Sequence, residues 1–387
     1  MTLAPPRPQV RPKPELLSVD FDERPFTVAW EITRACALAC VHCRAEAQPR
    51  PHPFELTTAE AFEVVDQIAE LNPPVLVITG GDPLMRRDVY DIVERAVGRG
   101  LRVSISPTTT ALATRERFER LRDLGIQMVH VSVDGADEAT HDAFRGVPGT
   151  FERATATLGI LRALGIGVQV GTTLARHNLH QLPEMAALMA EYGVRVWNVF
   201  YLVPTGRAHV EQMITAEEAE ASWRWLADTS RAAPFTIRTT AAPQFRRTML
   251  LGVEQRGGEM RLTGAGYQIR EAPVGIETRG VNDGKGFAFI DHLGNVCPSG
   301  FLQIPGGNVR SKRLAEIYRD SPMFQSLRDP SALTGRCGTC RFAELCGGSR
   351  ARAYATTGSY LGDDPLCTLH DHDDDHDQAA TAEETTR

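Results

Sequence analysis

Short runs rich in Val and Ile alternate along this chain with stretches of helical period. The runs are 26–32 (FTVAWEI), 75–79 (VLVIT), 101–106 (LRVSIS), 128–133 (MVHVSV), 167–173 (GVQVGTT) and 194–202 (VRVWNVFYL). Continuous apolar runs of this length suit strands buried on both faces of a parallel sheet. The amphipathic stretches between them are 59–71, 88–99, 115–124, 151–164 and 182–192, and four end beside Gly100, Gly125, Gly165 or Gly193, where a helix readily stops. Six strand–helix repeats predict an α/β fold whose parallel sheet is either open or curled into a partial barrel. The pattern fades after residue 205. One helix is predicted over 215–231, a Gly-rich polar stretch over 252–286 reads as either a loop over a site or a linker, and a short strand follows at 287–290.

The ends have a different character. Residues 1–24 form a Pro-rich arm, and the acidic tail 371–387 carries too few apolar residues to fold. Between them the expected units are a core at 25–210, a helix with its linker at 211–286 and a Cys-rich domain at 287–370. Across 387 residues, 42% are hydrophobic and 24% charged, as in ordinary globular proteins. The net charge of −7 gives no reason to expect nucleic acid, and no apolar run approaches a membrane span. With no apolar signal segment at the N-terminus, a cytoplasmic protein is expected.

Of the 8 cysteines, three stand close together and four lie between 337 and 367. In a reducing compartment such groups read as metal ligands rather than disulfides. Cys36, Cys40 and Cys43 have the spacing C-x3-C-x2-C directly after the first strand. Three thiolates can hold three irons of a 4Fe–4S cube and leave the fourth iron open to a cofactor or substrate. A zinc knuckle that uses His42 is the competing reading, made awkward by the position of His42 between two ligands. Cys337, Cys340, Cys346 and Cys367 have the spacing C-x2-C-x5-C-x20-C, which can close either a cluster or a zinc site.

The first Cys loop, together with TGGDPL (79–84) one strand later, resembles the radical S-adenosylmethionine (SAM) superfamily. The resemblance implies a partial (β/α)6 TIM-like barrel and an enzyme that reductively cleaves SAM to a 5′-deoxyadenosyl radical. It places Gly80, Gly81, Asp82 and Pro83 at SAM, with Asp82 where relatives carry Glu. It also places Ser106 and Thr108 of SISPTTT, Ser132 and Asp134 of SVDG, and Arg207 near the cofactor. The C-terminal motif resembles auxiliary-cluster domains of the SPASM and Twitch type, in the branch of heme- and heme-d1-forming decarboxylases. That implies a second 4Fe–4S cluster, a porphyrin-like substrate that loses carbon dioxide, and a reductant such as flavodoxin or ferredoxin. Arg350 and Arg352 are either partners for substrate carboxylates or surface charges. Cys297 falls two residues before the usual auxiliary ligand position, where this chain has Ser299, so it is expected to be a free thiol. The rival readings are a maturase acting on a precursor peptide and a non-catalytic iron–sulfur or zinc regulator.

Overall fold

The computed structural model describes residues 19–254, 260–263, 266–269 and 280–369. The expected N-terminal arm up to residue 18 and the acidic tail lie outside the described residues.

Seven strands, β1 (Thr27–Glu31), β2 (Val75–Thr79), β3 (Val103–Ile105), β4 (Met128–Ser132), β5 (Gly167–Leu174), β6 (Val196–Tyr201) and β7 (Thr236–Thr240), lie side by side in chain order. Each pairs with the next in parallel. The helices between and after them are α1 (Thr58–Leu71), α2 (Val89–Gly98), α3 (Arg115–Asp123), α4 (Glu138–Arg145), α5 (Thr150–Ala163), α6 (Leu182–Glu191), α7 (Ala216–Ala232) and α8 (Gln244–Glu254).

The sequence explains these boundaries locally. Thr57 caps α1: its hydroxyl accepts from the Glu60 amide, while the Glu60 carboxylate accepts from the Thr57 amide at 2.8 Å. Such a box satisfies two otherwise orphaned donors. Ala61, Val64, Val65, Ile68 and Leu71 then line the buried face of α1. They meet Val28, Trp30, Leu76 and Ile78 of the sheet in one core. Each fully buried aliphatic side chain there contributes roughly 1.5–3 kcal/mol.

Strand alternation sends the other set of residues to the opposite, inner face. There Ser132, Gly171, Asn198 and Arg238 share one register row across β4 to β7. The outer face is therefore sealed by helices, while the inner face is polar along this row and apolar around Ala29, Phe289 and Cys297.

Three features depart from the sequence expectation. The chain returns after β7, and β10 (Phe287–Ile290) pairs in parallel with the free edge of β1. β11 (Asn295–Cys297) and β12 (Gly307–Asn308) extend that edge antiparallel, giving one ten-stranded sheet. The segment from 287 is thus hydrogen-bonded into the core sheet. Next, β7 and α8 continue the alternation beyond residue 205. Finally, the described part of 252–286 includes the end of α8 and a hairpin of β8 (Met260–Thr263) and β9 (Gly266–Ile269). Among the described residues four short helices follow: α9 (Leu314–Asp320), α10 (Pro322–Arg328), α11 (Gly335–Thr339) and α12 (Arg350–Thr357).

Candidate active site

The loop after β1 carries Cys36, Cys40 and Cys43, with the first two thiols buried and the third half-buried. Its stem is closed by backbone bonds, Cys36 N to Gln48 O at 2.8 Å and Gln48 N to Arg34 O at 3.0 Å. Burial pushes the Cys36 thiol up to about 11 and also raises Cys40, against the pull of Arg145. Backbone amides already point at the sulfurs: Leu38 N donates to Cys36 Sγ and Ala47 N to Cys43 Sγ, each at 3.4 Å. Thr108 Oγ1 lies 3.8 Å from Cys36 Sγ. A metal that displaces the thiol protons would find soft donors with their amide bonds in place.

Residues distant in sequence hold this loop. Gly81 N donates to Thr33 O at 2.8 Å and Asp82 N to Ala35 O at 2.6 Å. A Cβ on Gly80 would stand 2.7 Å from Thr33 O, and one on Gly81 would strike Ala35 O. Both positions thus need glycine because the Cys-loop backbone passes against them. Asp82 is buried; it accepts from Leu84 N at 3.0 Å and Thr110 Oγ1 at 2.9 Å, and burial raises its pKa. Pro83 opens the short helical turn that Asp82 caps.

Arg207 clamps the other side. Its Nε donates to Cys40 O at 2.9 Å, its Nη1 to Ala47 O at 3.4 Å and its amide to Cys43 O at 3.1 Å. Gly206, at φ +61°, lets the chain pass within a few ångströms of Arg44 O. Ser106 and Ser132 are half-buried at the ends of β3 and β4.

Asp134, expected near the cofactor, is engaged by groups of the protein itself. Its carboxylate is fully buried, and it pairs with Arg145 Nη2 at 2.5 Å and accepts from Thr173 N at 2.6 Å. A buried carboxylate requires such partners. Burial works to raise its pKa, yet the Arg145 charge outweighs that and holds it below the usual range. His42 stacks on Phe144 at 3.8 Å, and burial drives its pKa down to about 3. It is a neutral neighbour of the loop.

At the C-terminal end, Cys337, Cys340, Cys346 and Cys367 line a hollow together with Gln244 and Arg247. Among the described residues, no three of His, Cys, Asp and Glu gather closely enough to enclose a single ion, and the four sulfurs stand around the hollow instead. Phe342 N donates to Cys340 Sγ and Gly348 N to Cys346 Sγ at 3.4 Å, and Arg350 Nη2 to Cys337 Sγ at 3.6 Å. Asp363 accepts from Cys337 N at 2.9 Å.

Neither arginine of α12 is open to a substrate carboxylate. Arg350 is 2% exposed and donates to Tyr360 O and Gly362 O, while Arg352 is 0% exposed and grips Asp364 through two 2.8 Å bonds. Sequence reasoning missed Asp364, Gln244 and Arg247 at this site. Only the Asp-Asp-Pro run before Cys367 offered a signal. Cys297 is buried against Ala29 and Phe289 of the sheet, with its thiol pushed up to about 12 by burial, and it does not line the hollow.

A parallel α/β sheet with a three-thiol loop after its first strand and a glycine pair clamping that loop after its second defines a radical SAM enzyme. Residues 30–189 match the radical SAM superfamily, and the chain belongs to it. The family binds a 4Fe–4S cluster and SAM, and the thiol set and glycine turn described above fit both. The chain is similar to the AdoMet-dependent heme synthase of Nitratidesulfovibrio vulgaris, 41% identical over 345 residues covering 88% of this chain and 91% of that protein. It is also similar to the AdoMet-dependent heme synthase of Methanosarcina barkeri, 38% identical over 343 residues covering 89% and 96%. Streptococcus suis SuiB, solved bound to S-adenosylmethionine, shares the fold with a TM-score of 0.67 at 14% identity, covering 90% of this chain and 78% of that one. No helix among the described residues is long and apolar enough to cross a membrane.

Proposed function

We propose that this enzyme oxidatively decarboxylates propionate side chains of a porphyrin in heme formation, with a second 4Fe–4S cluster at its C-terminal thiols. The observation that carries the reading is the pairing of two thiol sets on one frame. Three sulfurs leave an open coordination position, and four sulfurs round a hollow can close one. Similarity over nine-tenths of the heme synthase from Nitratidesulfovibrio vulgaris supports the substrate class. When loaded, the first cluster supplies an electron that cleaves SAM to a 5′-deoxyadenosyl radical able to take hydrogen from carbon.

The chain's own residues set the geometry for that chemistry. Gly80, Gly81 and Arg207 fix the Cys loop. Ser106 and Ser132, at the strand ends, would offer hydroxyls to a ribose, which can both donate and accept. The polar row with Ser132 and Asn198 suits a substrate with polar side groups. Losing carbon dioxide from a substrate radical leaves one electron to remove. A cluster held by Cys337, Cys340, Cys346 and Cys367 would have no open position and would supply that electron transfer rather than bind substrate.

The test is anaerobic purification and reconstitution, with iron, sulfide and zinc counted per chain, followed by dithionite, SAM and an iron porphyrin carrying propionates. Expected are about eight irons, 5′-deoxyadenosine, and product masses lower by carbon dioxide plus two hydrogens for each propionate oxidised to a vinyl group. About four irons with one zinc would reject the second cluster. SAM cleavage without porphyrin turnover would reject the substrate and turn attention to peptides.

A further inference from the structure

We infer that Arg145 and Asp134 form a buried charge pair that sets the reduction potential of the cluster held by Cys36, Cys40 and Cys43, with Arg145 donating to the Cys40 sulfur and Asp134 holding it there. The inference rests on the cluster reading and adds a positioning device to it.

The geometry is specific. Arg145 is the last residue of α4. One guanidinium nitrogen, Nη1, lies 3.8 Å from Cys40 Sγ, and the other, Nη2, lies 2.5 Å from Asp134 Oδ2. The guanidinium is 11% exposed and the carboxylate 0%. Asp134 is fixed in turn from the backbone: Thr173 N donates to its Oδ1, and its own amide donates to His141 Nδ1 at 3.0 Å.

The helix end is built against the loop as well. Val41 N donates to Phe144 O at 3.1 Å, and Gly146, at φ +69°, lies so close that a Cβ would stand 2.6 Å from Ala39 O. The pair therefore cannot drift away from the sulfur without moving the loop.

Chemistry gives the sign of each effect. Reduction adds an electron to the cluster, and a nearby positive charge or N–H donor to a sulfur ligand favours the reduced form. In a buried site such a charge is weakly screened. Asp134 lies farther from the sulfur and opposes part of the arginine's effect while holding it in place. Neutralising the two partners must therefore move the potential in opposite directions. A role confined to holding the fold together would not produce opposite signs.

The experiment is potentiometric titration of the reconstituted two-cluster enzyme, followed by electron paramagnetic resonance. The C-terminal signal is the internal control, and added SAM identifies the N-terminal one. Arg145→Met is expected to lower the reduced-to-oxidised ratio of the N-terminal cluster about tenfold at fixed potential, or ~59 mV for one electron. Arg145→Lys, which keeps the charge, should stay near the parent value. Asp134→Asn, which keeps an acceptor for Thr173 N, should shift the ratio the other way. If Asp134→Asn does not yield folded protein, the contrast between Met and Lys at 145 decides. Unchanged potentials at full iron content, or shifts of the same sign in both neutralised variants, overturn the inference. Absence of iron at Cys36, Cys40 and Cys43 in the parent protein would instead overturn the cluster reading.

Discussion

Replacing Arg352 with Met tests how the C-terminal thiol site is held. The side chain keeps its length, and only the charge and its donors go. Asp364 would remain buried, still accepting from Ser349 N and Gln244 Nε2 at 2.7 Å and Leu366 N at 3.1 Å, but without the two 2.8 Å bonds from the guanidinium. Breaking a fully buried pair from one side costs about 3–5 kcal/mol, because the remaining charge has no counterion. At about 1.4 kcal/mol per tenfold, that raises local opening roughly 10²- to 4 × 10³-fold. Asp364 and its neighbour Asp363 tie together the segments that carry Cys337, Cys346 and Cys367. Opening there should release any metal held by the C-terminal thiols and spare the N-terminal cluster. The assay is iron and zinc per chain alongside limited proteolysis around residues 335–369. Arg352→Met is expected to be cut faster and to lose the C-terminal complement. Adding Asp364→Asn, which removes the stranded charge and keeps acceptors, should recover much of the loss. A single variant with parent metal content and protease resistance would refute the reasoning.

Two further outcomes follow from the geometry. Gly81→Ala drives a methyl into Ala35 O, a backbone atom that cannot turn aside. A strain of about 1–3 kcal/mol is expected to fall on the Cys loop, read as reduced N-terminal iron retention at near-parent secondary structure; full retention would show that the loop tolerates displacement. Acid should also weaken the fold. Burial holds both His130 and His141 down to about 4, so both are neutral in the fold while the unfolded chain protonates near 6.5. Their contribution is complete above pH 6.5 and is lost as pH falls toward about 4, at up to about 1.4 kcal/mol per pH unit each. A urea midpoint that stays flat from pH 6.5 to 4.5 would contradict this.

The legible part of this protein is the part written locally. Apolar runs bounded by helix stops located the first six strands to within about two residues, because a strand buried on both faces has few polar options. Thiol spacing picked out both groups of cysteines as candidate ligand sets, and the fold keeps the members of each together. Elements whose signal is weaker escaped. Helix α4 has only eight residues, and β7 carries Arg238 and three threonines within its five positions.

Pairing across long distances was decided by the tertiary structure alone. The sequence by itself determined the alternating core, the two thiol sets and the glycine turn after β2. It did not determine that β10 would close onto β1, that Asp134 would face Arg145, or that the two arginines of α12 would be buried. Each of these depends on which charge or strand edge lies nearest after folding. A carboxylate or guanidinium reads the same in sequence whether it meets solvent, ligand or counterion. Once helices cover the sheet, burial leaves each such group a partner within the protein, Asp364 for Arg352 and backbone carbonyls for Arg350.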